Sequence, residues 1–193
     1  MRVETICLGE LATNCYLVNA DQLTILIDPA QYSQSLISFI GNRHVDFVIN
    51  THGHFDHVGG NWELQKSGAK LLIHNEDLPI VDHFYPDHPP FDRYITDGET
   101  LPGGFHVIHS PGHSPGSVIL VKDNMLFVGD LLFAGSIGRT DFPGGSASKM
   151  RKSLKHLISI TEDYHIYPGH GPSTTLSKEK RTNPYLIRLG ALA

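Results

Sequence analysis

Short apolar runs separated by polar turns fill the first part of the chain and predict strands over residues 3–8, 15–19 and 24–27. A helix is expected over 33–40, followed by a buried strand, Val45-Asp46-Phe47-Val48-Ile49. Beyond it the pattern predicts a helix that starts after His57 and runs to about Gln65, a strand over 70–73 and a short helix around 76–81. Residues 82–93 are rich in Pro, His and Asp. They are expected to form an irregular loop near the active site, with His83 and His88 as surface residues. Strands prevail from 105 to 129. Over 146–160, Met150, Leu154, Leu157 and Ile158 recur at helical spacing, and that stripe is expected to be core. Strand runs each followed by helices suit an α/β chain, and 193 residues suit one domain, 1–193, with a sizeable core.

Four of the apolar runs end in residues that bind metals. After 45–49 comes His52-Gly53-His54-Phe55-Asp56-His57, with four ligand-type side chains in six residues. The other three runs lead to His113 in Ser110-Pro111-Gly112-His113-Ser114-Pro115-Gly116, to Gly129-Asp130, and to Gly169-His170-Gly171. Extended backbone would put His52 and His54 on one face toward one ion, while a turn would swing Asp56 and His57 toward a second ion beside it. The plain alternative for 52–57 is a polar loop with Asp as a helix cap. The three later strand ends argue against it, because small residues flank each of them and let the backbone bend close to an ion.

These segments, with Gly9-Glu10-Leu11-Ala12-Thr13-Asn14-Cys15-Tyr16 near the start, resemble the metallo-β-lactamase superfamily and, within it, the glyoxalase II (hydroxyacylglutathione hydrolase)-like hydrolases. The resemblance implies an αββα sandwich of two packed mixed β-sheets with helices on the outer faces. It also implies that His52, His54 and His113 hold one metal ion, that Asp56, His57 and His170 hold a second, and that Asp130 bridges them. The larger glyoxalase II enzymes carry a C-terminal helical region that helps bind glutathione; this shorter pattern is expected to lack it.

Imidazole nitrogen and carboxylate oxygen suit two divalent ions, zinc first, with iron or manganese also accommodated. A water between two ions about 3.5–4 Å apart loses its proton near neutral pH and becomes a hydroxide nucleophile for an ester-like carbonyl. The expected function is therefore metal-dependent hydrolysis, above all of a thioester, with Asp56 and Asp130 as catalytic carboxylates. Arg139, in Gly138-Arg139-Thr140-Asp141-Phe142, stands where the larger enzymes have a substrate-binding lysine; it would grip a substrate carboxylate or else pair with Asp141. Persulfide dioxygenases of the same superfamily share these motifs yet use one iron on the residues matching His52, His113 and Asp130. They are the alternative, with lactonases third.

Composition narrows the partners. A formal net charge of −5 argues against nucleic acid and leaves a small-molecule substrate, anionic if the Arg139 reading holds. The basic runs at 149–155 and 178–181 read as solvated helix faces. Gly112-His113-Ser114-Pro115-Gly116 matches the serine-hydrolase pattern, but apolar β-branched residues follow it instead of a helix, so a serine nucleophile is not expected. Cys7 and Cys15 are expected to be buried reduced thiols. Neither a leader pattern nor an apolar run of membrane-spanning length is present, which predicts a cytoplasmic protein with no membrane partner. Oligomeric state is not legible in the chain.

Overall fold

The computed structural model describes residues 2–191. Strands β1 (Arg2–Leu8), β2 (Thr13–Ala20) and β3 (Leu23–Ile27) form an antiparallel meander. Helix α1 (Gln34–Ile40) leads to β4 (Phe47–Ile49), which lies parallel to β3. Helices α2 (Phe55–Val58) and α3 (Asn61–Lys66) lead to β5 (Lys70–His74), and α4 (Leu78–Phe84) leads to β6 (Arg93–Ile95), both strands again parallel.

The second sheet begins with β7 (Thr100–Leu101), β8 (Phe105–His109), β9 (Val118–Lys122) and β10 (Met125–Gly129), paired antiparallel. A small hairpin, β11 (Leu132–Phe133) and β12 (Ser136–Ile137), and helix α5 (Ala147–Ser159) precede β13 (His165–Pro168), which lies parallel to β10. Strand β14 (Thr174–Thr175) then closes that edge, and α6 (Leu176–Thr182) and α7 (Pro184–Gly190) end the described chain. Strand order is β1-β2-β3-β4-β5-β6 in one sheet and β14-β13-β10-β9-β8-β7 in the other.

Period-two alternation decides what each strand faces. Tyr16, Val18, Ile25, Ile27, Ile49 and Leu72 meet Phe105, Val107, Leu120 and Phe127 between the two sheets. Their neighbours Cys15, Leu17, Leu26, Val48 and Leu71 point the other way, into a layer with Leu36 and Ile40 of α1, Leu64 of α3 and Val81 of α4. Across the molecule Ile119, Leu126 and Ile166 meet Met150, Leu154 and Leu157 of α5, with Leu186 and Leu189 of α7. Both faces of each sheet are covered, so these strands read as near-continuous apolar runs, and the result is the expected αββα sandwich. The α5 stripe is core, as its spacing predicted.

Three expectations change. The helix after the metal-type cluster is two short helices, and Asp56 and His57 lie inside the first of them rather than ahead of it. Gly59 and Gly60 interrupt them where a side chain would collide with the Ala30 and Pro29 carbonyls. The stretch 82–93 is shorter as a loop than expected. Pro79 opens α4, buried Val81 anchors it, and the helix continues through Asp82, His83 and Phe84, while Arg93 already belongs to β6. His88 is no free surface residue either, since its ring stacks on the Trp62 indole at 4.9 Å. Finally, both cysteines are unpaired but only Cys15 is buried; Cys7 is exposed on an edge strand, where its thiol donates to Asn14 Oδ1.

Candidate metal centre

All seven residues singled out by their position after apolar runs converge at one end of the sandwich. Ring or carboxylate atoms of His52, His54 and His113 lie within 4.8 Å of one another, as do those of Asp56, His57 and His170. Asp130 stands between the two groups: Oδ1 is 3.6 Å from His57 Nε2, while Oδ2 is 3.4 Å from His113 Nε2 and 3.5 Å from His170 Nε2. Strands that end in the same direction deliver these loops side by side. That is why residues 113 positions apart meet, from His57 to His170.

Each imidazole is aimed by the nitrogen it turns away from the centre. His57 Nδ1 donates to Asp28 Oδ2 at 2.9 Å, His113 Nδ1 to the Arg139 carbonyl at 2.9 Å, and His170 Nδ1 to the Leu11 carbonyl at 3.0 Å. Thr51 Oγ1 gives its proton to Asp28 Oδ2 and so accepts from His52 Nδ1 at 3.2 Å. These bonds set the tautomer and leave the four Nε2 atoms facing inward, the arrangement that orients metal-binding histidines. His54 is reversed: its Nδ1 faces inward, 2.8 Å from His113 Nε2.

Three inward atoms are buried and have no hydrogen-bond partner: His52 Nε2, His57 Nε2 and Asp130 Oδ1. Orphaned polar atoms in a buried site are costly unless something satisfies them. Three from one cluster of nitrogen and oxygen donors fit a cation, so the residues present suit a metal centre.

Electrostatics separate the two groups. Burial and the neighbouring rings hold His52 well below the ordinary histidine range, and burial with His113 takes His54 down to about 4. For His57 burial acts downward too, but Asp28, Asp130 and Asp56 outweigh it and raise the group to about 9. His170 is raised to about 10, with burial overcome by Asp130 and Asp56. Burial pushes the Asp130 and Asp56 carboxyls up, yet the imidazoles dominate and both end below the usual carboxylate range.

Family membership follows from this geometry and from sequence. The family model described as the metallo-beta-lactamase superfamily matches residues 8–170, a span that includes all seven converging side chains. The chain belongs to the metallo-beta-lactamase superfamily. It is 34% identical to the hydroxyacylglutathione hydrolase GloC of Haemophilus influenzae, over 96% of this chain and 98% of that one. Among solved structures, TTHA1623 in a di-iron-bound form superposes with a TM-score of 0.89 at 38% identity, covering 95% of this chain and all of that one. ETHE1 from Myxococcus xanthus superposes with a TM-score of 0.81 at 25% identity, covering 97% and 85%. The superfamily fold is thus shared with a protein that was crystallised in a di-iron-bound form.

Two residues that shape the centre escaped the sequence reading. Asp28 follows β3 as Asp130 follows β10, so the rule of apolar runs ending in ligand-type residues applied to it equally. It accepts from the Thr51 backbone N–H at 2.8 Å as well as from Thr51 Oγ1 and His57. Asp77 carried no such signal. Fully buried, it accepts from Gly53 N at 2.8 Å, Ser114 Oγ at 2.7 Å and Gly116 N at 2.5 Å. Through these bonds Asp77 ties the loop of His52 and His54 to the loop of His113.

Arg139 sits at the rim with its side chain 57% exposed. Its Nε and Nη2 donate to Asp141 at 2.7 Å each, and the guanidinium lies 4.0 Å from the centre of the Phe142 ring. In this arrangement it braces its own loop. His83 and His88 lie outside the converging set.

Proposed function

We propose that this chain is a metal-dependent hydrolase that cleaves a thioester of the hydroxyacylglutathione type. The observation that carries the reading is the double donor set, with Asp130 between the two groups and three orphaned atoms pointing inward. His52, His54 and His113 would hold one divalent ion, and Asp56, His57 and His170 another, with Asp130 between the two groups. Zinc, iron and manganese all suit these donors. Bound there, the ions supply a hydroxide at neutral pH and polarise the substrate carbonyl.

The chain's own groups do the rest. Asp56 stays ionised and is held by the Thr13 hydroxyl at 2.9 Å, so it remains an acceptor that can orient a water beside the centre. Asn14 steadies the His170 loop by donating from Nδ2 to the Pro168 and Gly171 carbonyls, at 2.9 and 2.8 Å. Among the described residues, the titratable groups identified at the centre are the donors themselves and Asp28 and Asp77, which orient them, and none of these is free to serve as a dedicated general acid. A thiolate needs none, because its conjugate acid has a pKa near 8.5, whereas an alkoxide does. This favours a thioester over an ordinary ester or lactone.

The motifs shared with the persulfide dioxygenases of the superfamily, among them Gly138-Arg139-Thr140-Asp141-Phe142, keep a one-iron dioxygenase as the second reading. Metal analysis with paired assays separates them. About two ions per chain and thioester cleavage support the hydrolase; one iron with oxygen uptake on glutathione persulfide would replace it.

A further inference from the structure

A second cluster of metal-type donors lies outside the centre. One ring nitrogen of His74, one of His109 and a carboxylate oxygen of Glu76 lie within 4.8 Å of one another. His74 ends β5 and His109 ends β8, so each sheet contributes one imidazole, while Glu76 belongs to the single 3₁₀ turn Asn75–Asp77 that follows β5.

The state of each ring follows from its hydrogen bond. His109 Nε2 is 2.9 Å from the Pro115 carbonyl, which can only accept, so Nε2 carries the proton and Nδ1 keeps its lone pair. In His74, Nδ1 accepts from the Glu76 backbone N–H at 3.3 Å, so this nitrogen has a lone pair as well. That bond lies beyond the roughly 2.7–3.2 Å of a firm backbone hydrogen bond and is readily exchanged for an ion. The two rings stack with centres 4.3 Å apart and planes 9° apart. Parallel rings do not aim at one point, so one of them turns about its Cβ–Cγ bond to share an ion. His74 is that ring, because only the long bond holds it, whereas Pro115 fixes His109.

Charge around the pair suits a cation. Burial and the neighbouring His109 push His74 below its ordinary range, against the pull of Glu76 and Asp97, so an ion meets no proton on it at neutral pH. Asp97 also accepts from the His109 backbone N–H at 2.8 Å. Two carboxylates thus flank two imidazoles, and Glu76 is exposed on the side where an ion enters.

We propose that His74, His109 and Glu76 form an accessory site for a divalent transition ion such as zinc, apart from the centre. Two imidazoles and a carboxylate are donors that zinc accepts, with water completing four-coordination. The ion fastens the 74–77 turn to the loop of His113. His109 opens that loop and holds its Pro115 carbonyl, and Asp77 of the same turn already holds Gly53, Ser114 and Gly116.

The test compares the full chain with its Glu76→Gln and His74→Phe variants, all with the centre first filled with zinc. Equilibrium dialysis against micromolar free zinc should leave the wild type holding one ion per chain more than either variant, whatever the centre itself holds. Each substitution should weaken that ion by at least about tenfold. The control His44→Gln, at an exposed imidazole beside Asp46, should leave it in place. The same ion should raise the unfolding temperature of the wild type above that of Glu76→Gln by about 2–4 °C or more, with the two proteins equal when only the centre is filled. Equal zinc uptake by the wild type and both variants overturns the site, and uptake without a difference in unfolding temperature overturns the fastening. Should His74→Phe fail to fold, Glu76→Gln, a change to an exposed side chain, decides alone. Turnover is not the readout, so failure of the hydrolase reading leaves the test intact.

Discussion

The two donor groups of the centre are built from similar residues yet reach opposite electrostatic states. For His52 and His54, burial and the neighbouring rings outweigh the nearby carboxylates and hold both imidazoles neutral. His57 and His170 face Asp56 and Asp130, and carry protons that a metal must displace. His52 and His54 are thus neutral imidazoles, whereas His57 and His170 form an imidazolium–carboxylate cluster with Asp56 and Asp130. The lesson is that ligand type alone does not determine how a site accepts an ion; the neighbours' charge determines it.

The strongest way to break the comparison is to remove the residue shared by both halves. Asp130→Asn should weaken both ions and lower turnover by more than about a hundredfold, because a neutral amide bridges poorly. Retention of two ions and full kcat, by metal analysis and steady-state kinetics, would remove Asp130 from its proposed role.

Acidity tests the contrast itself. A group raised to about 9 or 10 stays protonated until the pH approaches that value, so an ion entering among Asp56, His57 and His170 displaces about two protons at pH 7. Affinity there should climb by up to about a hundredfold per pH unit below about pH 9, whereas His54 releases none above about pH 4 and His52, held well below the ordinary histidine range, none near neutral pH. Zinc titrations of the metal-free chain across that range should resolve one steep and one shallow dependence. Equal slopes would show the halves to be alike.

A smaller effect sharpens the distinction. Asp77 accepts three bonds that join the loops of the first group, and an amide replaces one acceptor oxygen with a donor facing other donors. Asp77→Asn should lower affinity at His52, His54 and His113 by about 10–100-fold and spare the second group. Calorimetry showing both sites equally weakened would mark a general loss of structure instead. Least disruptive should be Arg139→Ala, since Asp141 already occupies that guanidinium. A few-fold rise in KM for anionic thioesters with neutral ones untouched is expected, and equal losses would leave Arg139 a brace for its loop alone.

The donors were readable because each lies just past an apolar strand, flanked by small residues. The same rule extended to Asp28, at the end of Leu23–Ile27. What failed were features whose cause lies elsewhere in the chain. The break at Gly59-Gly60 is imposed by the carbonyls of Pro29 and Ala30, and the extra turn of α4 by burial of Val81 against the sheet. Asp77 sits in a polar stretch that looks like any helix start, and its role exists only because Gly53, Ser114 and Gly116 arrive from two distant loops.

By itself the amino-acid order determined the alternating strands, the core stripe of α5 and the chemical kinds of donor, since these depend on local spacing and side-chain type. Tertiary structure alone decided which imidazoles the carboxylates raise and which burial lowers, which nitrogen each turns inward, and that Asp77 joins the loops of His52 and His113. Those properties depend on distances between residues far apart in the chain, and a Coulomb interaction or a hydrogen bond exists only once folding has closed that distance.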